Sequence, residues 1–121
     1  MIRDVTDLEV YQLSLKLLSK LYQFLKKIPR SEYDTVIQCK KDGKSIPANI
    51  AEGFAKRSFE LEFKRFLKIA IGSSDELISH LRAITIILPH LSYEAEQLAQ
   101  EYKILSKRMN KLHSVWRSGI F

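Results

Sequence analysis

Hydrophobic residues near the N-terminus recur at the spacing of an α-helix. One seam of them steps alternately by three and four residues, and a second apolar set lies on its flank. At about 100° per residue the two sets cover an arc of roughly 160°. That arc is wider than one side of a small bundle buries, so the helix, which ends at Pro29, is also predicted to contact another copy of the chain. The seam comprises Leu8, Tyr11, Leu15, Leu18, Tyr22 and Leu25, and the flank comprises Val10, Leu17, Leu21, Phe24 and Ile28.

Three more helices follow from the same periodicity. The second is predicted from about Ser31, a residue type favoured at an N-cap. The third restarts around Ser58 and stops at Pro89, and Ser92 is predicted to cap the fourth. No segment alternates with period two, and short connections make neighbouring helices antiparallel. The chain is therefore predicted to be all-α, a single domain over residues 1–121 folded as an up-down-up-down antiparallel four-helix bundle. The seams are Val36, Cys39, Gly43, Ile46, Ile50 and Gly53; then Phe63, Phe66, Ala70, Ser73, Leu77, Leu81, Ile84 and Leu88; then Ala95, Leu98, Tyr102, Leu105, Met109, Leu112 and Trp116.

The stretch "SIPANIAEG", residues 45–53, places a proline inside the second helix. Pro47 cannot donate to the carbonyl four residues earlier, which predicts a kinked second helix. Small residues gather here and in the third helix, and close helix–helix approach is favoured over a catalytic loop as their explanation. Asn49 and Glu52 have two open interpretations: they form a hydrogen-bonded cluster beside Ser45 or Ser73, or they occupy solvated positions. The small residues are Gly43, Ala48, Ala51, Gly53, Ala70, Gly72, Ser73 and Ser74.

Composition narrows the class of protein. The 121 residues carry a formal net charge of +6, and the pI is near 9.5, which permits an acidic partner. The single cysteine, Cys39, excludes an internal disulfide and suits a reducing compartment. The N-terminal residues include acids, unlike a signal peptide, and the longest apolar run is too short to span a bilayer. A cytoplasmic protein without a membrane segment is expected.

The block "SIPANIAEGFAKRS", followed by "EFKRFLKIAIGSSDEL", resembles the bacterial four-helix bundle protein family. That family includes proteins encoded by intervening sequences within 23S ribosomal RNA genes, and it is related to the accessory variability determinant of diversity-generating retroelements. The likeness extends from "DLEVYQLSLKL" to "LSYEAEQLAQEYKIL". The resemblance implies that the chain forms ring-like homopentamers. The retroelement relatives are basic proteins, and they associate with nucleic acid and with a reverse transcriptase. The chain departs from the family pattern at "CKKDGKSIP", where Asp42 and Gly43 replace residues with a higher helix propensity.

Neither a catalytic nor a metal site is predicted. A di-iron bundle uses Glu-x-x-His pairs, whereas Glu76 and His80 are four residues apart and no second such pair exists. Cys39 is predicted to be a small buried hydrophobe, because it lies on the apolar seam of the second helix. The lysines next to it in sequence point in other directions on a helix and do not activate its thiol. No phosphate-binding glycine motif or Ser-His-Asp arrangement occurs, so no enzymatic activity and no cofactor are predicted.

Bases exceed acids at one end of the predicted bundle, where the second helix ends, the third begins and the fourth ends. Bases near helix ends complement the helix macrodipole, so a solvated face is one interpretation. The other is a positive rim that, repeated around a ring, tracks the phosphates of RNA or DNA. The predicted function is a non-catalytic RNA-binding or ribonucleoprotein-scaffolding module, and the alternative is a protein–protein interaction module. The predicted nucleic-acid-binding residues are Lys56, Arg57, Lys64, Arg65, Lys68, Lys107, Arg108 and Lys111.

Overall fold

The computed structural model describes residues 2–119, and four α-helices make up most of that range. Each α-helix packs against two others, α1 and α3 both lying against α2 and α4. No strand occurs between residues 2 and 119, and none of the helices there is long and apolar enough to cross a membrane. The predicted all-α, four-helix architecture is confirmed. The helices are α1 (Glu9–Leu25), α2 (Tyr33–Ala55), α3 (Glu60–Ile87) and α4 (Ser92–Val115), with 3-10 helices at Val5–Asp7, Arg30–Glu32 and Pro89–Leu91.

The buried face of α1 is centred on the flank set rather than on the seam. Val10, Leu17, Leu21 and Phe24 are buried, whereas Leu15, in the middle of the seam, is 43% exposed. The remaining seam residues are buried or half-buried. Helix α1 therefore places most of its apolar arc within one bundle, and Leu15 is its only large hydrophobic residue among the exposed ones that the structure describes.

Neither of the two serines predicted to cap a helix does so. Ser31 lies inside a 3-10 helix, and Ser92 is already the first residue of α4. The third helix, predicted to restart around Ser58, begins at Glu60. An N-cap needs an extended backbone and a side-chain oxygen. The residues that precede α2 and α4 close 3-10 turns and are not extended, and Phe59 is extended but has no oxygen. These cap predictions are wrong for that reason.

Helix α2 continues through Pro47 as one helix and approaches α3 closely beyond it. A Cβ atom at Gly53 would lie 2.6 Å from the Cβ of Phe66 and 3.0 Å from Cδ1 of Phe63. The predicted close approach is therefore confirmed at this glycine. The predicted close approach is not found at Gly72, where a Cβ added to the backbone would have no atom within 4 Å. It is not found at Ala48 either, because that residue is exposed.

An aromatic cluster joins α2, α3 and the residue that follows α4. The Phe63 ring packs edge-on against Trp116, with ring centroids 4.5 Å apart, and against Phe54 at 6.2 Å. Trp116 is 1% exposed, as the apolar seam of the fourth helix predicts. The cluster fixes the end of the bundle that carries the predicted basic residues.

Candidate nucleic-acid interface

The C-terminal half of α4 carries bases without acids. No Asp or Glu occurs from residue 102 to residue 121. Lys103, Lys107, Arg108 and Lys111 are exposed, because Met109 and the other seam residues direct the opposite side of α4 into the core. None of these bases forms an ion pair with a residue of the described range. We call these four residues the α4 basic face.

A groove between α1 and α4 extends this surface. Arg108 lines it together with Lys16 and Lys20, over an apolar floor that includes Ile104. The ammonium of Lys20 lies 2.7 Å from the carboxylate of Glu101, so its charge is balanced, whereas Lys16 makes no ion pair to any residue in 2–119. Lys16 was not among the predicted site residues. Helical periodicity places it on the polar strip of α1, but only the register of α1 against α4 brings it beside Arg108.

Acids also lie beside the α4 basic face, near the start of α1. Asp7 and Glu9 line a second depression, whose lining also includes Arg108 and Lys111. Backbone N–H groups of Arg3 and Asp4 donate to the Asp7 carboxylate and lower its pKa, so Asp7 stays ionised at neutral pH. These two acids offset part of the positive charge of Arg108 and Lys111 on that side of the α4 basic face.

Helix α3 adds one unpaired base beside α4. The ammonium of Lys64 lies 3.5 Å from the carboxylate of Glu60, whereas Lys68 has no carboxylate partner in the described part of the chain. Partial burial, followed by the charges of Lys64 and Lys68, lowers the pKa of His113 on α4. His113 is therefore mostly neutral at pH 7, and Lys64 and Lys68 of α3 lie close enough to it for their charges to disfavour its protonation.

Lys56 and Arg65 lie against one aromatic ring and beside two acids. Their cationic groups lie 4.7 and 4.4 Å from the centroid of the Phe66 ring. Lys56 is 3.6 Å from the carboxylate of Glu52, and Arg65 is 2.9 Å from that of Glu62. Two acids thus balance two bases at the junction of α2 and α3, where the sequence pattern predicted an excess of positive charge.

Arg57 is held by the chain around it. Its guanidinium stacks 4.1 Å from the centroid of the Phe54 ring and donates to the Phe54 carbonyl oxygen at 3.1 Å. The hydroxyl of Ser118 donates to the Arg57 carbonyl oxygen. This arginine therefore braces the residues that follow α4 against the end of α2, and it is half-buried.

The structure divides the predicted rim into two parts. Lys68, Lys107, Arg108 and Lys111 are unpaired within residues 2–119, whereas the other four predicted bases contact acids or aromatic rings. At the opposite end of the bundle bases are paired with acids: Lys27 lies 2.6 Å from Glu94, and Arg82 lies 3.5 Å from Glu96. The candidate interface is therefore centred on α4 rather than spread around the whole end.

Polar residues on both sides of Pro47 and one residue of α3 form the hydrogen-bonded cluster that was one of two interpretations. The side-chain amide of Asn49 donates to the carbonyl oxygen and hydroxyl of Ser45, at 2.8 and 2.9 Å. The Ser45 hydroxyl lies 2.8 Å from that of Ser73, which ties α2 to α3. Glu52 is exposed and stays outside the cluster.

Cys39 lies in the core, as predicted. It is 0% exposed, and burial raises the pKa of its thiol to about 12. The reactive species of cysteine is the thiolate, which is negligible at neutral pH with such a pKa. Cys39 therefore acts as a small apolar residue of α2.

A carboxylate missed by the sequence analysis joins Glu76 and His80. Asp42 on α2 is 6% exposed, and its Oδ2 atom lies 3.6 Å from Nε2 of His80. The same nitrogen lies 3.5 Å from Oε1 of Glu76. Burial, and then the charge of Glu76, raises the pKa of Asp42 to about 6. The helical spacing of Glu76 and His80 is visible in the sequence, but a partner from α2 depends on tertiary register.

Replacing Asp42 by asparagine is expected to stabilise the protein at neutral pH. A chelator is present in this experiment so that no metal ion occupies the carboxylates. Because the folded-state pKa of Asp42 is raised from 3.8 to about 6, ionisation of this carboxyl disfavours folding, and its cost grows as the pH rises through that interval. We expect Asp42→Asn to raise the free energy of unfolding by about 1–3 kcal/mol at pH 7.5, and by much less at pH about 4.5. Urea unfolding of both proteins at the two pH values measures this. A destabilised variant at pH 7.5 would contradict it.

The comparisons with known proteins agree with this architecture. The family model for the 23S rRNA-intervening sequence protein matches residues 6–111, which contain all four α-helices except the last residues of α4. Among curated proteins, none matches the chain.

Proposed function

The chain belongs to the 23S rRNA-intervening sequence protein family, and from that premise we propose that it binds nucleic acid through the α4 basic face. In this proposal the protein is a non-catalytic module that binds RNA or scaffolds a ribonucleoprotein in the cytoplasm. The observation that carries the proposal is the set of exposed, unpaired bases on the acid-free half of α4. Unpaired surface cations are available to replace the counterions of a phosphate backbone.

The α4 basic face suits phosphates rather than base edges. Lys107 and Lys111 are one helical turn apart on the solvent side of α4, and Arg108 faces the α1 groove beside Lys16. Long basic side chains spaced in this way can follow a phosphate backbone. Reading of base edges needs a helix that enters a groove with its own set of base-contacting side chains, and α4 is packed along its length in the bundle.

The proposed assembly is a ring-like homo-oligomer, pentameric by resemblance. A ring would repeat the α4 basic face around its circumference and add the phosphate contacts of several copies. Leu15 is the exposed large hydrophobic residue of the apolar arc on α1, and it is therefore available for a contact between copies of the chain. Native mass spectrometry of the purified protein tests this step, and a monomer at all concentrations would contradict it.

Neutralising three of the four bases of the α4 basic face is expected to weaken binding to a labelled structured RNA. We expect the triple variant Lys107→Gln, Arg108→Gln and Lys111→Gln to lose at least about tenfold in affinity near physiological salt, because each base lost removes counterion release at a phosphate. Fluorescence anisotropy with the RNA and with a matched DNA duplex measures the affinities and any preference between the two.

The matched control removes the same charges at the opposite end of the bundle. Lys26→Gln, Lys27→Gln and Arg30→Gln also replace two lysines and one arginine, and all three are exposed. We expect this control to bind like the unaltered protein. Equal loss in both variants would show a response to net charge alone, and absence of binding by the folded, unaltered protein would overturn the proposal.

Exposed apolar side chains favour a second candidate function, a protein–protein interaction module. Phe59, Leu61, Ile86 and Tyr93 are 69%, 82%, 80% and 76% exposed. Phe59 and Leu61 lie where α3 begins, and Ile86 and Tyr93 flank the connection between α3 and α4. Each end of the bundle therefore presents exposed apolar side chains of the kind found at interaction surfaces. Binding to a protein partner that resists salt and tolerates the α4 triple variant would favour this function.

A further inference from the structure

The atoms at the centre of the Asp42, Glu76 and His80 cluster lack hydrogen bonds. Oδ2 of Asp42 and Nε2 of His80 are both buried, and neither has a hydrogen-bond partner in the described residues. The Asp42 side chain is 9% exposed and is directed at the cluster, since its Oδ2 faces His80. Buried polar atoms without partners are uncommon in folded proteins, and each calls for a ligand, a water or an ion that satisfies it.

The spacing of the donor atoms fits a shared ion better than direct hydrogen bonds. One donor atom from each of the three residues lies within 4.8 Å of the other two. The distances of 3.6 and 3.5 Å from His80 Nε2 to the two carboxylates exceed the usual N–H···O distance of about 2.9 Å. A tetrahedral metal ion with bonds of about 2.1 Å holds its ligand atoms about 3.4 Å apart. Each carboxylate thus lies from His80 Nε2 at about the separation expected between two ligands of one ion.

We propose that Asp42, Glu76 and His80 bind a divalent transition-metal ion, with Zn²⁺ as the best fit, and that the ion links α2 to α3. Glu76 and His80 are four residues apart on α3, so both point to the same side of that helix, and Asp42 reaches them from α2. Two carboxylates and one neutral imidazole suit Zn²⁺, which takes nitrogen and oxygen ligands in sites of four. A water molecule completes the fourth position.

The ligand set disfavours the common alkaline-earth ions. Ca²⁺ and Mg²⁺ take six or more oxygen ligands and rarely use imidazole. The two carboxylate charges match the charge of the ion. Lys41, which is next to Asp42 in sequence and exposed, is the lysine whose charge also acts on this carboxylate. Bound to the folded state alone, the ion would stabilise the pairing of α2 with α3 just before Pro47.

Titration of the tag-free, chelator-stripped full chain with Zn²⁺ tests the site. We expect calorimetry at pH about 7.5 to show one ion per chain and a raised midpoint of thermal unfolding, since the ion binds only the folded state. Substitution of Co²⁺ for Zn²⁺ is expected to give the visible absorption of a tetrahedral site with nitrogen and oxygen ligands. No uptake of Zn²⁺ by the folded protein would overturn the proposal.

Two variants and one control decide which residues hold the ion. His80→Ala and Glu76→Gln are expected to lower the affinity for Zn²⁺ at least about tenfold each. Both side chains are partly exposed, at 31% and 58%, so the variants should fold, which circular dichroism checks. His90→Ala removes an exposed histidine outside the site and should leave binding unchanged. Unchanged affinity in His80→Ala and Glu76→Gln, or equal loss in His90→Ala, would overturn the assignment.

Discussion

Replacing Trp116 by alanine is expected to lower the free energy of unfolding by about 3–5 kcal/mol. Trp116 is 1% exposed and packs edge-on against Phe63, with centroids 4.5 Å apart. Its removal leaves a cavity where α3 meets the end of α4, and the surrounding helices can close it only in part. Since small domains are stable by only about 5–15 kcal/mol, the loss is a large share of the total. Urea unfolding followed by far-ultraviolet circular dichroism measures it.

Tyr93→Ala is the control for Trp116. Tyr93 is also a large aromatic residue of α4, but it is 76% exposed. We expect its replacement to change the free energy of unfolding by no more than about 0.5 kcal/mol, as at other surface positions. A loss in Trp116→Ala as small as the loss in Tyr93→Ala would show that the chain after α4 does not anchor the bundle.

A single methyl group at Gly53 is expected to destabilise the protein by about 1–3 kcal/mol. The new Cβ would lie 2.6 Å from the Cβ of Phe66, which is fixed by the backbone of α3 and cannot rotate away. The Phe63 ring and carbonyl oxygen, at 3.0 and 3.3 Å, close the other directions. Helices α2 and α3 would have to separate, and this strain exceeds the gain in helix propensity from glycine to alanine. Urea or thermal unfolding of Gly53→Ala measures the balance.

Gly72→Ala tests the same substitution without the contact. A Cβ at Gly72 meets no atom within 4 Å, and the residue is exposed in the middle of α3. Here only helix propensity changes, so we expect a gain in stability of up to about 1 kcal/mol. Changes of the same sign in Gly53→Ala and Gly72→Ala would contradict close approach as the reason for Gly53.

Periodicity in the sequence predicts the helices well because apolar spacing and core burial have the same cause. The seam of the fourth helix is almost wholly buried, from Ala95 to Trp116, and α3 ends just before Pro89 as expected. Helix starts were predicted less well, since 3-10 turns before α2 and α4 take the place of side-chain caps. On α1 either the seam residues or the flank residues could have formed the core face. Packing against α2 and α4 buries the flank residues and leaves Leu15 of the seam exposed.

The candidate interface was predictable in its residue types but not in its electrostatics. Lysines and arginines near the end of the bundle are visible in the sequence, yet which of them stay unpaired depends on neighbours from other helices. Lys56 and Arg65 share Phe66 and have acids beside them, whereas Lys16 lies beside Arg108 only because α1 and α4 are paired in one register. Asp42 reaches His80 for the same kind of reason.

The salt dependence of RNA binding tests the phosphate-binding role of the α4 basic face most directly. Each phosphate contact contributes about −0.7 to −0.9 to the slope of log affinity against log salt concentration. We expect the triple variant Lys107→Gln, Arg108→Gln and Lys111→Gln to have a slope shallower by about 2–3 than that of the unaltered protein. The control Lys26→Gln, Lys27→Gln and Arg30→Gln should keep the original slope. Identical slopes for the unaltered protein and the α4 variant would contradict the role.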